Sequence, residues 1–112
     1  VVAPLVDEAE RYTSEHDIIS VVLVACCRAL ATARAGDLDR AWAIAQETLE
    51  LVGRTDQAWQ QADCTRWLSE VARLRGDRDA ERLLLEEARK LYRVKEITLY
   101  DPRLATRIAE LA

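Results

Sequence analysis

Histidine and cysteine, which often supply nucleophiles and metal ligands, are scarce here, with one His and three Cys among 112 residues. With His16 as the single histidine, neither an HExxH zinc site nor a multi-histidine metal site can form. A Cys–His nucleophile would need a cysteine to reach His16 from an apolar helix interior, which we do not expect. Cys26 and Cys27 are adjacent on a predicted helix and point about 100° apart, so they cannot share an ordinary site. We predict that Cys26, Cys27 and Cys64 are small buried apolar residues. His16 is predicted to be exposed between two helices.

The glycines and the charged residues also have simpler explanations than catalysis. Gly36, Gly53 and Gly76 are each explained as helix ends, so they cannot be assembled into a phosphate-binding loop. A cluster of acids and arginines is explained as a solvated helix face with ion pairs between successive turns. We therefore predict a non-enzymatic protein with no catalytic residue, no metal and no cofactor. The charged cluster consists of Arg73, Arg75, Arg78, Arg82, Glu86 and Glu87.

Composition narrows the class of partner. The formal net charge is −4 and the basic residues are spread among acids, which argues against a nucleic-acid or membrane-surface partner. Ser20 and Arg28 interrupt the most apolar stretch, leaving it short of the roughly 20 residues that a membrane span needs. The odd number of cysteines favours a reducing cytoplasm over a disulfide framework. Because the chain starts with Val and with half of a structural unit, we expect a single domain over residues 1–112 that is a fragment of a longer protein.

The central element is a predicted helix from Asp17 to Ala35, which is apolar on nearly every side between Ile18 and Ala33. A surface helix would show one apolar stripe and one polar face, so other helices must cover this one on at least two sides. Asp17 can cap its first turn, and Gly36 can adopt the left-handed conformation that ends it.

The same start and stop signals predict five more helices and no strand. One runs from Pro4 to Thr13. Asp37 opens the next, which ends at Gly53. The following helix is predicted to be capped by Thr55 or Asp56 and to carry two apolar stripes. A further helix opens at Asp77, and after a joint from Val94 to Tyr100 the last opens at Asp101-Pro102. The predicted stripes are Ala58, Ala62, Ser69 and Ala72 with Trp59, Trp67, Val71 and Leu74 in the two-stripe helix, Ala80, Leu83, Leu84, Ala88 and Leu91 in the next, and Leu104, Ala105, Ile108 and Leu111 in the last.

An internal repeat relates two of these joints. A shift of 40 residues places Gly36 on Gly76 and Asp37 on Asp77, with three further identities in the helix that follows. The stretches ARAGDLDRAWAIAQETLELVGRTD and RWLSEVARLRGDRDAERLLLEEARKLY resemble tetratricopeptide-type helical repeats. The strongest points of the resemblance are Ala29, Ser69, Ala41 and the two glycines. The resemblance covers roughly Glu8 to Tyr92.

More narrowly, these stretches are similar to the C-terminal repeat arrays of bacterial multidomain regulators, such as ATP-dependent transcriptional activators and nucleotide-cyclase-linked signalling proteins. That resemblance implies antiparallel hairpins stacked as a short right-handed superhelix of about six helices. It also implies a role as a protein–protein interaction module in a cytoplasmic regulator.

The resemblance further implies that the first helix of each hairpin lines a groove for a protein or peptide partner. On this register Trp67 lies at the groove with charged neighbours, and the central helix supplies an apolar wall. The alternative is that Trp67 belongs to the core and the charges pair along their own helix. Two other hypotheses are self-association through the apolar N-terminal end and small-molecule sensing between repeats. The predicted groove residues are Asp63, Arg66, Trp67, Glu70 and Arg73, opposite Leu23, Cys26, Cys27 and Leu30.

Overall fold

The computed structural model describes residues 15–55 and 57–112, and the side chains from residue 19 onward within those ranges. These residues form α-helices joined by short turns, with no strand among them, which confirms the all-α class. The predicted helix Pro4–Thr13 lies outside the described residues. The helices of the described part are α1 (Glu15–Arg34), α2 (Leu38–Val52), α3 (Ala58–Arg75), α4 (Arg78–Val94) and α5 (Asp101–Leu111).

The central helix α1 starts earlier than its sequence signals predict. Asp17 and His16 both lie within the helix, so the predictions of Asp17 as the cap and of His16 between helices were wrong. Both α2 and α3 pack on α1, which gives the coverage from two sides that its apolar surface requires. The coverage is incomplete, because Leu23 and Val24 remain 41% and 57% exposed.

Two of the joints share one turn geometry. Gly36 and Gly76 have φ values of 96° and 79°, in the left-handed region that glycine adopts without the penalty of a Cβ atom. In each turn the glycine N–H donates to the carbonyl three residues earlier, and the next N–H donates to the carbonyl five residues earlier, at 3.0–3.2 Å. This pair of bonds is the Schellman motif, so the two turns that the repeat aligns at a shift of 40 are closed in the same way.

The joint between α2 and α3 differs from these two. Gly53 has φ −63°, an ordinary helical value, so it follows the helix without a left-handed turn. Gln57 occupies the cap position of α3 and makes no side-chain cap bond, so the prediction of Thr55 or Asp56 as the cap was wrong. The Thr55 hydroxyl instead donates to the Val52 carbonyl at 2.9 Å, which closes the end of α2.

Of the N-caps predicted for α4 and α5, the first is correct and the second is wrong. The carboxylate of Asp77 accepts the N–H of Ala80 at 3.0 Å and caps α4 as predicted. Tyr100, not Asp101, takes the cap position of α5, while Asp101 begins the helix itself. The Asp101 carboxylate instead pairs with Arg89 of α4, with Nε–Oδ1 at 2.5 Å, and so ties α5 to α4.

The described residues bury two neighbouring apolar clusters. The first joins α1, α2 and α3 through residues such as Val22, Leu51 and Leu68, and the second joins α3, α4 and α5 through residues such as Leu85 and Leu104. Because α3 contributes to both clusters, it is the element through which the two hairpins and α5 form one body.

Two residues assigned to apolar faces are on the surface instead. Trp59 of α3 is 45% exposed and Leu83 of α4 is 60% exposed, so the prediction that they belong to the core was wrong. Trp42 and Trp67 do pack against the first cluster, each partly buried. None of the helices in the described ranges has the length and apolar character needed to cross a bilayer.

Candidate binding groove

The predicted apolar wall and the predicted indole border one cavity. Its volume is about 240 Å³, and it lies between α1 and α3. On α1 the lining residues recur at intervals of three and four, so they share one face of the helix. The cavity is lined by Leu23, Cys26, Cys27, Leu30 and Trp67.

The cavity is open at its rim and closed at its floor. Leu23 and Cys27 are exposed, so the prediction that all three cysteines are buried was wrong for Cys27. Cys26 is only 2% exposed, and its Sγ lies 3.1 Å from Sγ of Cys64 on α3. This contact joins α1 to α3 directly beneath the cavity, and both thiols are reduced.

Trp67 serves both the core and the groove. Its ring is partly buried against the first apolar cluster, and it also lines the cavity. The guanidinium carbon of Arg66 lies 5.8 Å from the centroid of the indole, within the range of a cation–π contact. Trp67 is therefore a partly buried core residue that also borders the cavity.

Asp63 and Arg66 point toward α4 instead of lining the cavity. The hydroxyl of Tyr92 donates to the Asp63 carboxylate, and Nε of Arg66 donates to the same hydroxyl oxygen at 2.9 Å. The Arg66 guanidinium also lies 4.1 Å from the ring centroid of Tyr100. Burial, together with the bond to Asp63, raises the pKa of Tyr92 to about 12. This polar cluster is a structural contact between α3, α4 and the joint before α5.

The sequence did not point to the tyrosines of this cluster. The rings of Tyr92 and Tyr100 contact each other in a tilted arrangement, with centroids 5.2 Å apart and planes at 39°, although the residues lie on opposite sides of the joint after α4. Their positions at either end of a short, irregular joint could have indicated this contact, because two aromatic rings so placed can meet when the chain reverses direction.

Glu70 and Arg73 pair with each other on the surface of α3. Nε of Arg73 donates to Oε1 of Glu70 at 2.7 Å, and this bond raises the pKa of the Arg73 guanidinium. Asp63 and Arg66 also form an ion pair along the helix, with N–O at 3.7 Å. Of the five predicted groove residues, Trp67 lines the cavity. A partner-binding role for all five stays a prediction.

A second cavity, of about 260 Å³, lies between α2, α3 and α4. Leucines of α2 and α4 supply its apolar walls, and Gln61, Thr65 and Glu87 supply polar groups. It is less uniform in chemistry than the first cavity, whose lining is apolar side chains and thiols. We therefore expect the cavity between α1 and α3 to bind an apolar side chain.

In the part of the chain that the structure describes, no group of three or more His, Cys, Asp or Glu side chains is arranged to hold a metal ion. Comparisons with protein-family models, with curated proteins and with solved structures found no match for this chain.

Proposed function

We propose that this chain is a non-enzymatic, tetratricopeptide-like interaction module that binds an apolar segment of a partner protein in the groove between α1 and α3. The observation that carries the proposal is the cavity in which four residues of α1 face Trp67 across the groove. Tryptophan is one of the residues that most often dominate the energy of protein–protein contacts, where the bound partner excludes water from it.

The arrangement of helices supports a repeat architecture. The helix pairs α1–α2 and α3–α4 are each closed by a Schellman turn at equivalent positions, and α1 and α3, the first helices of the two pairs, pack on each other. Stacked hairpins of this kind present an extended surface formed by their first helices. In a repeat architecture of this kind, the groove between α1 and α3 would lie on that surface.

The size of the cavity favours side chains of a peptide over a free small molecule. Pockets for drug-sized ligands are typically about 300–1,000 Å³, larger than the 240 Å³ found here. An extended peptide or an amphipathic helix can place one or two apolar side chains in such a cavity while the rest of the segment follows the groove. The Glu70–Arg73 pair, one turn beyond Trp67 on α3, would then contact polar groups of the segment.

A selection from a displayed random-peptide library tests the proposal on the purified chain. We expect enriched peptides to share apolar residues at helical or alternating spacing, and to shift the NMR signals of Leu23, Leu30 and Trp67. Failure to enrich any common sequence, or signal shifts confined to α4 and α5, would contradict the proposal.

Matched variants locate the site. Leu23→Glu places a charge at the rim of the cavity, on a side chain that is 41% exposed and so tolerates the change, whereas Leu83→Glu makes the same change at an exposed position of α4. Leu23→Glu should weaken binding of a selected peptide at least tenfold, about 1.4 kcal/mol, and Leu83→Glu should leave it unchanged. Equal effects of the two variants would refute the groove. Trp67→Ala is less informative because the ring also packs on the core.

Self-association is the second candidate, and Val24 favours it. Val24 is 57% exposed next to Leu23 on α1, and exposed apolar patches often mark contacts between proteins. Val24 does not line the cavity, so Val24→Glu separates the two functions. If copies of the chain associate through α1, light scattering should give a dimer mass for the wild type and a monomer mass for Val24→Glu. A monomeric wild type would exclude self-association through this face.

A further inference from the structure

The buried thiols of Cys26 and Cys64 form a close pair of reactive groups between two helices. Their sulfur atoms are 3.1 Å apart, and each residue is at most 2% exposed. A disulfide bond is about 2.05 Å long, so the sulfurs need to approach each other by only about 1 Å. The two residues lie on α1 and α3, which places the pair at the interface between the two hairpins.

We propose that Cys26 and Cys64 form an oxidant-sensitive pair that converts to a disulfide bond in the folded protein, with hydrogen peroxide as the class of oxidant. The proposal does not depend on the function of the groove.

The route of oxidation follows from the access to each sulfur. Cys26 lines the cavity that opens at the protein surface, so a small oxidant can reach it. Cys64 does not line this cavity, and the hydrogen bond with Cys26 and burial raise the pKa of its thiol. Cys26 is therefore the residue that reacts first, and Cys64 is the resolving residue.

The chemistry balances in two steps. The sulfur of Cys26 attacks one oxygen of hydrogen peroxide, so that the S–O bond forms and the O–O bond breaks. The departing hydroxide takes up the thiol proton and leaves as the first water, and Cys26 becomes a sulfenic acid. The sulfur of Cys64 then attacks the sulfenic sulfur, the S–S bond forms, the S–OH bond breaks, and the hydroxyl leaves as a second water with the proton of Cys64. Two thiols lose two hydrogen atoms in total, and one peroxide is reduced to two waters.

Cys27 can also react with the oxidant, so its oxidation must be distinguished from that of Cys26. It is exposed, and trypsin, which cleaves after arginine, leaves Cys26 and Cys27 together on the peptide 12–28, whereas Cys64 is on the peptide 55–66. A linked pair of these peptides from the wild type would therefore not say which cysteine reacted. The variant Cys27→Ser removes the ambiguity, and because the side chain is exposed the change should not disturb the fold.

The experiment treats folded Cys27→Ser with hydrogen peroxide, labels the remaining thiols after denaturation, and maps the tryptic peptides by mass spectrometry. We expect both thiols to be lost, the peptides 12–28 and 55–66 to be linked, the mass to fall by two hydrogens, and dithiothreitol to restore both thiols. The double variant Cys27→Ser with Cys64→Ser should form no intramolecular link. Two thiols still reactive after treatment, or recovery of Cys26 as an irreversibly oxidised acid with Cys64 still a free thiol, would overturn the proposal.

The melting temperature gives a second readout. The bond would close a chain loop of about 38 residues, and a loop of that length should raise the melting temperature of Cys27→Ser by about 10 °C or more if the native packing accommodates it. An oxidised form that melts at or below the temperature of the reduced form would show that the folded protein does not accept the bond, and would also overturn the proposal.

Discussion

Replacing the glycines at the helix ends tests whether the two equivalent turns depend on left-handed backbone. Gly36 and Gly76 have positive φ, and a Cβ atom built on either one meets no atom within 4 Å. The cost of Gly36→Ala or Gly76→Ala therefore comes from the backbone alone. An L-residue in the left-handed region costs about 1–2 kcal/mol, and the lower entropy of the unfolded alanine chain offsets about 0.4–1 kcal/mol of this. We expect each variant to lose about 1 kcal/mol.

Gly53 provides the matched control within the same chain. Its φ of −63° is helical, and a Cβ atom there would lie 3.4 Å from the carbonyl oxygens of Leu49 and Glu50, at the near limit of ordinary contact. Gly53→Ala should therefore gain about 0.5 kcal/mol from the reduced entropy of the unfolded chain. The same substitution is thus expected to have opposite signs at Gly53 and at the two left-handed glycines.

Thermal unfolding followed by circular dichroism at 222 nm measures all three variants against the wild type. For a domain of this size about 1 kcal/mol corresponds to about 4 °C, so Gly36→Ala and Gly76→Ala should melt about 4 °C lower and Gly53→Ala slightly higher. Equal melting temperatures for the three variants would refute the assignment of the left-handed turns. A loss at Gly36 without one at Gly76 would refute the equivalence of the two turns.

Three further predictions concern the polar contacts between helices. The pKa of Tyr92 is raised to about 12. The contribution of its protonated hydroxyl to the free energy of unfolding is therefore fully present below pH 10 and is lost as the pH rises toward 12. The stability advantage of wild type over Tyr92→Phe in urea should therefore shrink by about 2–3 kcal/mol across that range, and a constant difference would contradict this. Arg89 lowers the pKa of Asp101, so the advantage of wild type over Asp101→Asn should be present at neutral pH and disappear as the pH falls below about 4; an advantage that persists in acid would contradict the pair. Arg107 donates two bonds to the buried carboxylate of Glu81, at 2.8 and 3.0 Å, so a double-mutant cycle of Glu81→Gln and Arg107→Gln should give a favourable coupling energy, and additive effects would exclude the contact.

The helix ends that were predicted correctly are those at which the local sequence favours a single turn geometry. Gly36 and Gly76 each combine a glycine with a following aspartate, and few alternatives to a left-handed cap followed by a new helix exist for that pair. The three helix starts that were predicted wrongly lie near Asp17, Thr55 and Asp101, and each has more than one polar residue nearby that could cap. Local chemistry does not choose between them, because the choice depends on where the helix is packed by its neighbours.

Burial was predicted less well than helix position, for a related reason. Trp59 and Leu83 lie on apolar faces by spacing, but α3 carries two such faces and α4 is covered by other helices only in part. The periodicity of a helix gives the direction of each side chain relative to the others. It does not give the number of partner helices, so the outermost members of an apolar face remained on the surface.

The candidate groove shows the same division between local and long-range information. Leu23, Cys26, Cys27 and Leu30 share a face because of their spacing within one helix, and the packing of α3 on α1 brings Trp67 opposite to them. Asp63 and Arg66 are also on α3, yet they turn toward Tyr92, a residue 26 positions away from Arg66. A surface arginine gains little from an exposed ion pair, whereas here it gains a hydrogen bond and two aromatic contacts. The apolar face of α1 therefore follows from helical periodicity. The direction of the charged side chains on α3 depends on which competing partner each charge finds in the folded chain.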